Sequence, residues 1–141
     1  MSPATPADVL ARRRHLLLSR DADGFADLFA PDGVIEVPFM GPPGKPLRLA
    51  GREVIREYSR QVMASPLRLE SLEMAELYRT QDPEVVIVEM RTTGTLTTTG
   101  RPFAATSIQI LRIREGQIVL FRDFADSRVL EDVIGEPRRA S

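Results

Sequence analysis

The sequence predicts an α+β fold, with helices first and a meandering antiparallel sheet after them. Three observations lead there. As far as Met63, apolar residues recur at helical spacing, as at Val9, Leu10, Leu16 and Leu17 and again at Val54, Ile55, Tyr58 and Val62. From Leu67 onward the chain runs in long segments with strand-like alternation. Arg114-Glu115-Gly116 reads as a tight turn joining two of those segments. A chain of 141 residues suits one domain around one core.

The elements follow in order. Residues 1–7 are Pro-rich and are expected to be a flexible start. Asp8 is expected to cap a helix running to about Ser19. Asp21-Ala22-Asp23-Gly24 breaks it, and a short helix follows with Phe25, Leu28 and Phe29 on one stripe. Pro31-Asp32-Gly33 reads as a turn. Val34-Ile35-Glu36-Val37 is a strand stopped by Pro38. Residues 38–50 hold four prolines and two glycines and read as a loop whose Phe39, Met40 and Leu47 could lid an apolar pocket. A third helix is expected from Arg52 to about Met63. Strands follow at Leu67–Thr80, Glu84–Leu96, Phe103–Arg114 and Gln117–Phe124, then a short helix from Ser127 to Ile134. Curving the sheet around three helices would leave a pocket between them, where small ligands usually sit.

The last strand carries the most informative residue. Alternation places Val119, Phe121 and Asp123 on one face and Ile118, Leu120, Arg122 and Phe124 on the other. Both faces are largely apolar, so both are expected to be covered. An acid beside Val119 and Phe121 is either a surface accident at the strand end or a buried, functional group, and buried carboxylates are rare unless paired or used in chemistry. The competing reading pairs Asp123 structurally with Arg122 or with an arginine from another strand. Arg13 shares a helix stripe with Leu10 and Leu17 and could act as an oxyanion donor or fix Asp123. His15 could be a second acid or base near neutral pH, although on that stripe it points away. On the strand from Glu84, Val86, Val88, Met90 and Thr92 share one face, and Glu89 and Arg91 share the other. A shift of one residue would exchange them.

Composition narrows the chemistry. Net charge is −1 and there is no long basic run, which speaks against nucleic acid as the main partner. Without cysteine there is no disulfide framework and no thiolate chemistry. One histidine cannot make a His-rich metal site, and no clustered acidic motif suggests another, so no metal and no cofactor are expected. No apolar run approaches the roughly 20 residues that span a bilayer. No signal-peptide pattern opens the chain, so the expected location is cytoplasmic.

Asp21, the segment Leu28-Phe29-Ala30-Pro31-Asp32-Gly33, Ile35-Glu36-Val37-Pro38-Phe39 and Gly51-Arg52-Glu53 resemble the N-terminal half of the nuclear transport factor 2-like superfamily. Glu115-Gly116-Gln117-Ile118, leading to Arg122-Asp123-Phe124-Ala125-Asp126, resembles its C-terminal half. Within that superfamily the chain is most similar to SnoaL-like proteins, which include polyketide cyclases. The resemblance spans residues 8–135 as one domain and leaves 136–141 as a flexible end. It implies a cone-shaped barrel, a curved and mostly antiparallel sheet wrapped around the N-terminal helices. It also implies a deep apolar pocket and a homodimer formed through the outer sheet face.

Position by position, the aspartate of ketosteroid isomerases falls at Val37, their tyrosine donor near Arg13 and their second acid near Thr106. Of the catalytic groups of limonene epoxide hydrolases only Asp123 is kept. The others fall at Ile35, Val37, Met90 and Thr92. SnoaL-like cyclases need one aspartate at this strand position, in an apolar cavity that folds the substrate. The implied activity is a cofactor-independent cyclase or isomerase of an apolar, carbonyl-bearing, polyketide-like molecule, with Asp123 catalytic. The pocket would be lined by Leu17, Phe29, Ile35, Val37, Phe39 and Tyr58, and further along by Val88, Met90, Thr92, Thr106 and Phe121. The alternatives are a non-catalytic ligand-binding or dimerisation module and an epoxide hydrolase-like ring opening.

Overall fold

A computed structural model of the chain describes residues 4–130. The first helix, α1, spans Pro6–Leu18. Its cap is Thr5, not Asp8. The Thr5 hydroxyl accepts from the Asp8 amide, and the Asp8 carboxylate accepts from the Thr5 amide, so the two residues close a capping box. Asp8 is therefore the third helical residue, where an acid also suits the helix dipole. Pro6 and Ala7 of the expected loose start are already helical. Helix α2 spans Ala22–Asp27, with Asp21 accepting from the Gly24 amide.

Phe29 ends no helix. It opens strand β1, Phe29–Val37, and the expected turn at Pro31-Asp32-Gly33 is an irregularity inside that strand. Arg52 holds this place by donating twice to the Phe29 carbonyl, at 2.9 and 2.7 Å. The expected loop after it contains a short strand, β2, Leu47–Ala50, which pairs antiparallel with β1. Helix α3 spans Arg52–Ala64 and is entered through Gly51 at φ 100°, a left-handed conformation that favours glycine. Strands β3, Leu67–Arg79, β4, Val85–Leu96, β5, Arg101–Arg114, and β6, Gln117–Phe124, complete the sheet. Glu115 and Gly116 both have positive φ, as a two-residue hairpin turn requires. Helix α4 is described for Ser127–Leu130, and the rest of the expected terminal helix and the end at 136–141 lie outside the described residues.

The sheet order is β2-β1-β6-β5-β4-β3, antiparallel throughout except for the parallel pair β1–β6. It is curved and does not close. The fold is the α+β cone that the resemblance implied. Its narrow end is packed solid, by Phe29, Val86, Val88, Leu111, Ile113 and Ile118. Ile118 reaches this core against simple alternation. Residue Val119 is skipped in the β5–β6 register, where Arg112 faces Leu120 and Ile113 faces Ile118. That bulge turns Ile118 inward together with Phe121 and Asp123.

Candidate active site

Towards its wide end the cone is hollow, and Ala105 and Ser107 there leave space that larger side chains would fill. Along the inner face of β5 the residues are Phe103, Ala105, Ser107 and Gln109, where the narrow end has Leu111 and Ile113. The hollow has two lobes, of about 420 and 240 Å³. Met90, Thr92, Leu72 and Met74 line the larger lobe, opposite α1. Ile35, Val37, Leu49, Tyr58 and Ser59 line the smaller lobe, beneath α3. Asp123, Phe121, Leu17 and Phe25 belong to both walls, so the Asp123 carboxyl stands where the lobes meet.

Asp123 has no ion pair with its neighbour Arg122. Arg122 points to the outer face, where its Nε donates to Glu36 at 2.9 Å, and Arg48 joins from β2 at 3.5 Å. The register explains this, since Glu36 stands opposite both Arg48 and Arg122. Inside, the charge facing Asp123 is Arg13, which is 3% exposed. The Nη2 of Arg13 donates to Gln109 Oε1 at 2.8 Å, and its guanidinium lies over the Phe121 ring, 4.9 Å from the centroid. Gln109 donates in turn to the Ser107 hydroxyl at 3.4 Å. Two buried polar atoms have no hydrogen-bond partner among the described residues, Arg13 Nη1 and Asp123 Oδ1. Such atoms are rare in folded proteins and cost stability.

Burial pushes the Asp123 carboxyl up to about 6, against the Arg13 charge and the Gln109 amide, which both lower it. Burial likewise brings Arg13 down to about 10, against the pull of Asp123. Arg13 therefore stays a cation at neutral pH, and Asp123 lies close to its midpoint.

Four residues expected in the pocket lie outside its walls. Phe29 is fully buried in the core, edge-on to Phe25 at 5.3 Å. Val88 faces inward but is fully covered by the packed narrow end. Phe39 is 63% exposed and packs against Phe124, 5.6 Å away, while Met40 and Leu47 of the same segment do line the smaller lobe. Thr106 pairs with Arg91 and is exposed on the outer face, one residue out of step with Ala105 and Ser107. His15 is exposed on α1, away from the hollow. Leu17, Ile35, Val37, Tyr58, Met90, Thr92 and Phe121 line one or both lobes. Glu89 and Arg91 are on the outer side, where Arg91 pairs with Glu73 at 3.6 Å and Glu89 accepts from the Tyr78 hydroxyl at 3.2 Å. Gln109 escaped the sequence reading. Its signal was a lone polar residue on the Leu111 and Ile113 stripe.

Among the described residues no three His, Cys, Asp or Glu side chains converge as metal ligands, and no helix is long and apolar enough to cross a membrane.

Helices packed on a curved, unclosed and mostly antiparallel six-stranded sheet are the ketosteroid isomerase-like and nuclear transport factor 2-like fold. The chain belongs to the SnoaL-like domain family, which its residues 11–121 match. It is 38% identical over 117 residues to an uncharacterised PhzA/B-like protein of Pseudomonas aeruginosa, covering 83% of this chain and 81% of that one. Its structure is similar to that of a candidate isomerase from Bacillus subtilis, with a TM-score of 0.83, 27% identity, and 92% and 91% of the two chains covered. It also resembles a Catenulispora acidiphila protein with a ketosteroid isomerase-like fold, solved with trimethylamine, with a TM-score of 0.74, 20% identity, and 94% and 95% covered.

Proposed function

We propose that the protein is a cofactor-independent cyclase or isomerase of an apolar, carbonyl-bearing small molecule, polyketide-like in character. The supporting observation is the Asp123 carboxyl, raised to about 6 and placed between two apolar lobes with Oδ1 free. In its ionised form Oδ1 removes a proton from carbon next to a substrate carbonyl, and the electron pair moves onto the carbonyl oxygen. The resulting enolate attacks a second carbonyl carbon, closing a ring, or takes the proton back at another carbon, moving a double bond. Asp123 returns the proton in either case, so the enzyme ends unchanged. The apolar walls hold the reacting carbons together, and the Arg13 charge favours the enolate. The isomerase name of the Bacillus subtilis neighbour supports this reading.

The test is exchange of α-hydrogens of polyketide-like ketones in deuterated water, followed by NMR. Wild-type protein is expected to accelerate exchange, with a rate that rises through about pH 6 as Asp123 ionises. Asp123→Asn is expected to reduce it by about 100-fold or more. Equal rates with the two proteins would end the catalytic reading.

The expected homodimer belongs to this proposal as well. Tyr78 and Ile108 stand 47% and 38% exposed on the outer sheet face, as a face covered by a second copy would have them. Light scattering should give twice the chain mass, and Ile108→Arg should halve it. A wild-type monomer would refute it.

A further inference from the structure

The larger lobe contains a cation with one donor atom to spare. Arg13 is almost fully buried, lines the lobe, and spends Nη2 on Gln109, yet its Nη1 has no partner among the described residues. Asp123 Oδ1, in the same wall, has none either. A neutral carbonyl would satisfy the guanidinium only weakly, whereas an anionic oxygen forms the charge-assisted bond that arginine favours.

We propose that the natural ligand carries an acidic oxygen group, a carboxylate or an enolate, that binds as an anion at Arg13 Nη1 while Asp123 takes up a proton. The inference rests on reading Asp123 as the proton-transfer group. The coupling is electrostatic. An anion on Arg13 cancels the charge that keeps Asp123 ionised and adds a like charge beside it, so the protonated carboxyl becomes the favoured form. With such a substrate bound, Asp123 serves as the base only at a higher pH than it does for a neutral one.

The other charged or titratable groups in these walls do not compete. On α1, Arg14 sits at the rim, with its Nε on the Leu72 carbonyl at 2.7 Å. Beyond β6, Asp126 is held below the usual carboxylate range by Arg128 and stays ionised. Gln109 and Ser107 on β5 are neutral, and the smaller lobe contributes Tyr58 on α3. Asp123 alone has its midpoint raised to about 6.

The experiment is calorimetric titration of the whole chain with 2-naphthoate, with methyl 2-naphthoate as the neutral counterpart and benzoylacetone as the enolate source. The carboxylate is expected to bind at least about tenfold more tightly than its ester at pH 6. Its Kd should then rise by about tenfold per pH unit above pH 6, with about one proton taken from the buffer per molecule bound. In Asp123→Asn the carboxylate should still bind, with a Kd that no longer varies with pH. Arg13→Lys, which keeps the charge, should weaken binding and keep the pH slope. Enolate binding would show as the long-wavelength absorbance of benzoylacetone. This is expected if the natural group is an enolate, and its absence with naphthoate bound assigns the site to carboxylates. Equal affinity for acid and ester in the wild type would overturn the proposal, as would a pH slope that survives in Asp123→Asn. None of these readouts involves turnover. Naphthoate binding as described without hydrogen exchange would end the catalytic reading alone, and exchange with equal acid and ester affinity would end only this one.

Discussion

Asp123 destabilises the fold once it ionises. Its native midpoint is about 6 and the ordinary value is 3.8. Between those pH values the folded chain holds more protons than the unfolded one, so stability falls as pH rises. Above about pH 6 the cost is complete, at roughly 3 kcal/mol, since each tenfold change in proton affinity is worth about 1.4 kcal/mol. Asp123→Asn should therefore melt several degrees above wild type at pH 7.5, and the gap should close below about pH 4. Thermal unfolding at both pH values checks it. A variant that loses activity while gaining stability is what a functional strain at this position predicts. Asp123 was legible from sequence because the stripe it ends, Phe121 above all, is apolar on a strand whose two faces both read as largely apolar. Arg13 was legible for the same reason on a helix. Gln109 is not legible there, since a single amide in a run of Ile, Leu and Arg carries no chemistry until Arg13 reaches it from 96 positions away.

The elements repeat this division between local and distant causes. Helices α1 and α3 and the long strands were readable, because periodicity is a local property of the chain. Strand β2 was not. It has four residues in a stretch of Pro and Gly, and only pairing with β1 makes it a strand. The bulge at Val119 and the irregularity between Phe29 and Val34 are also set by the partner strands. They explain why Ile118 and Phe29 were placed on the wrong faces or in the wrong element. One glycine controls the shape of the larger lobe. Gly94 stands opposite Phe103, and a Cβ there would meet the Phe103 ring at 2.6 Å and the Arg68 carbonyl on the other side. Gly94→Ala should cost about 1–3 kcal/mol and push the Phe103 ring into the hollow. Denaturant unfolding together with naphthoate titration should show lower stability and weaker binding.

At the scale of the whole molecule, the last long strand is the centre of the sheet. Strand β6 lies between β1 and β5, and the Ile118 amide donates to the Leu28 carbonyl at 2.8 Å, joining the two ends of the described chain. The cone cannot form until the C-terminal strand arrives, which makes folding non-local and cooperative. Hydrogen exchange should find the slowest amides at Ile118 and Leu111, and the fastest strand amides in β2 and at the outer end of β3. The overall cone was legible because the order of helices and strands constrains topology, whereas which end would be hollow depends on side-chain volume summed across β4, β5 and β6. Because the sheet does not close, β3 has no strand on one side over Leu67–Arg79 among the described residues. It interrupts its own register twice, between Leu69 and Ser71 and between Met74 and Glu76, and it alternates Arg68, Glu70, Glu73 and Glu76 along its length. A foreign strand therefore finds no straight, uncharged template on which to grow, and the opening that leaves room for a ligand does not become a seed for fibrils.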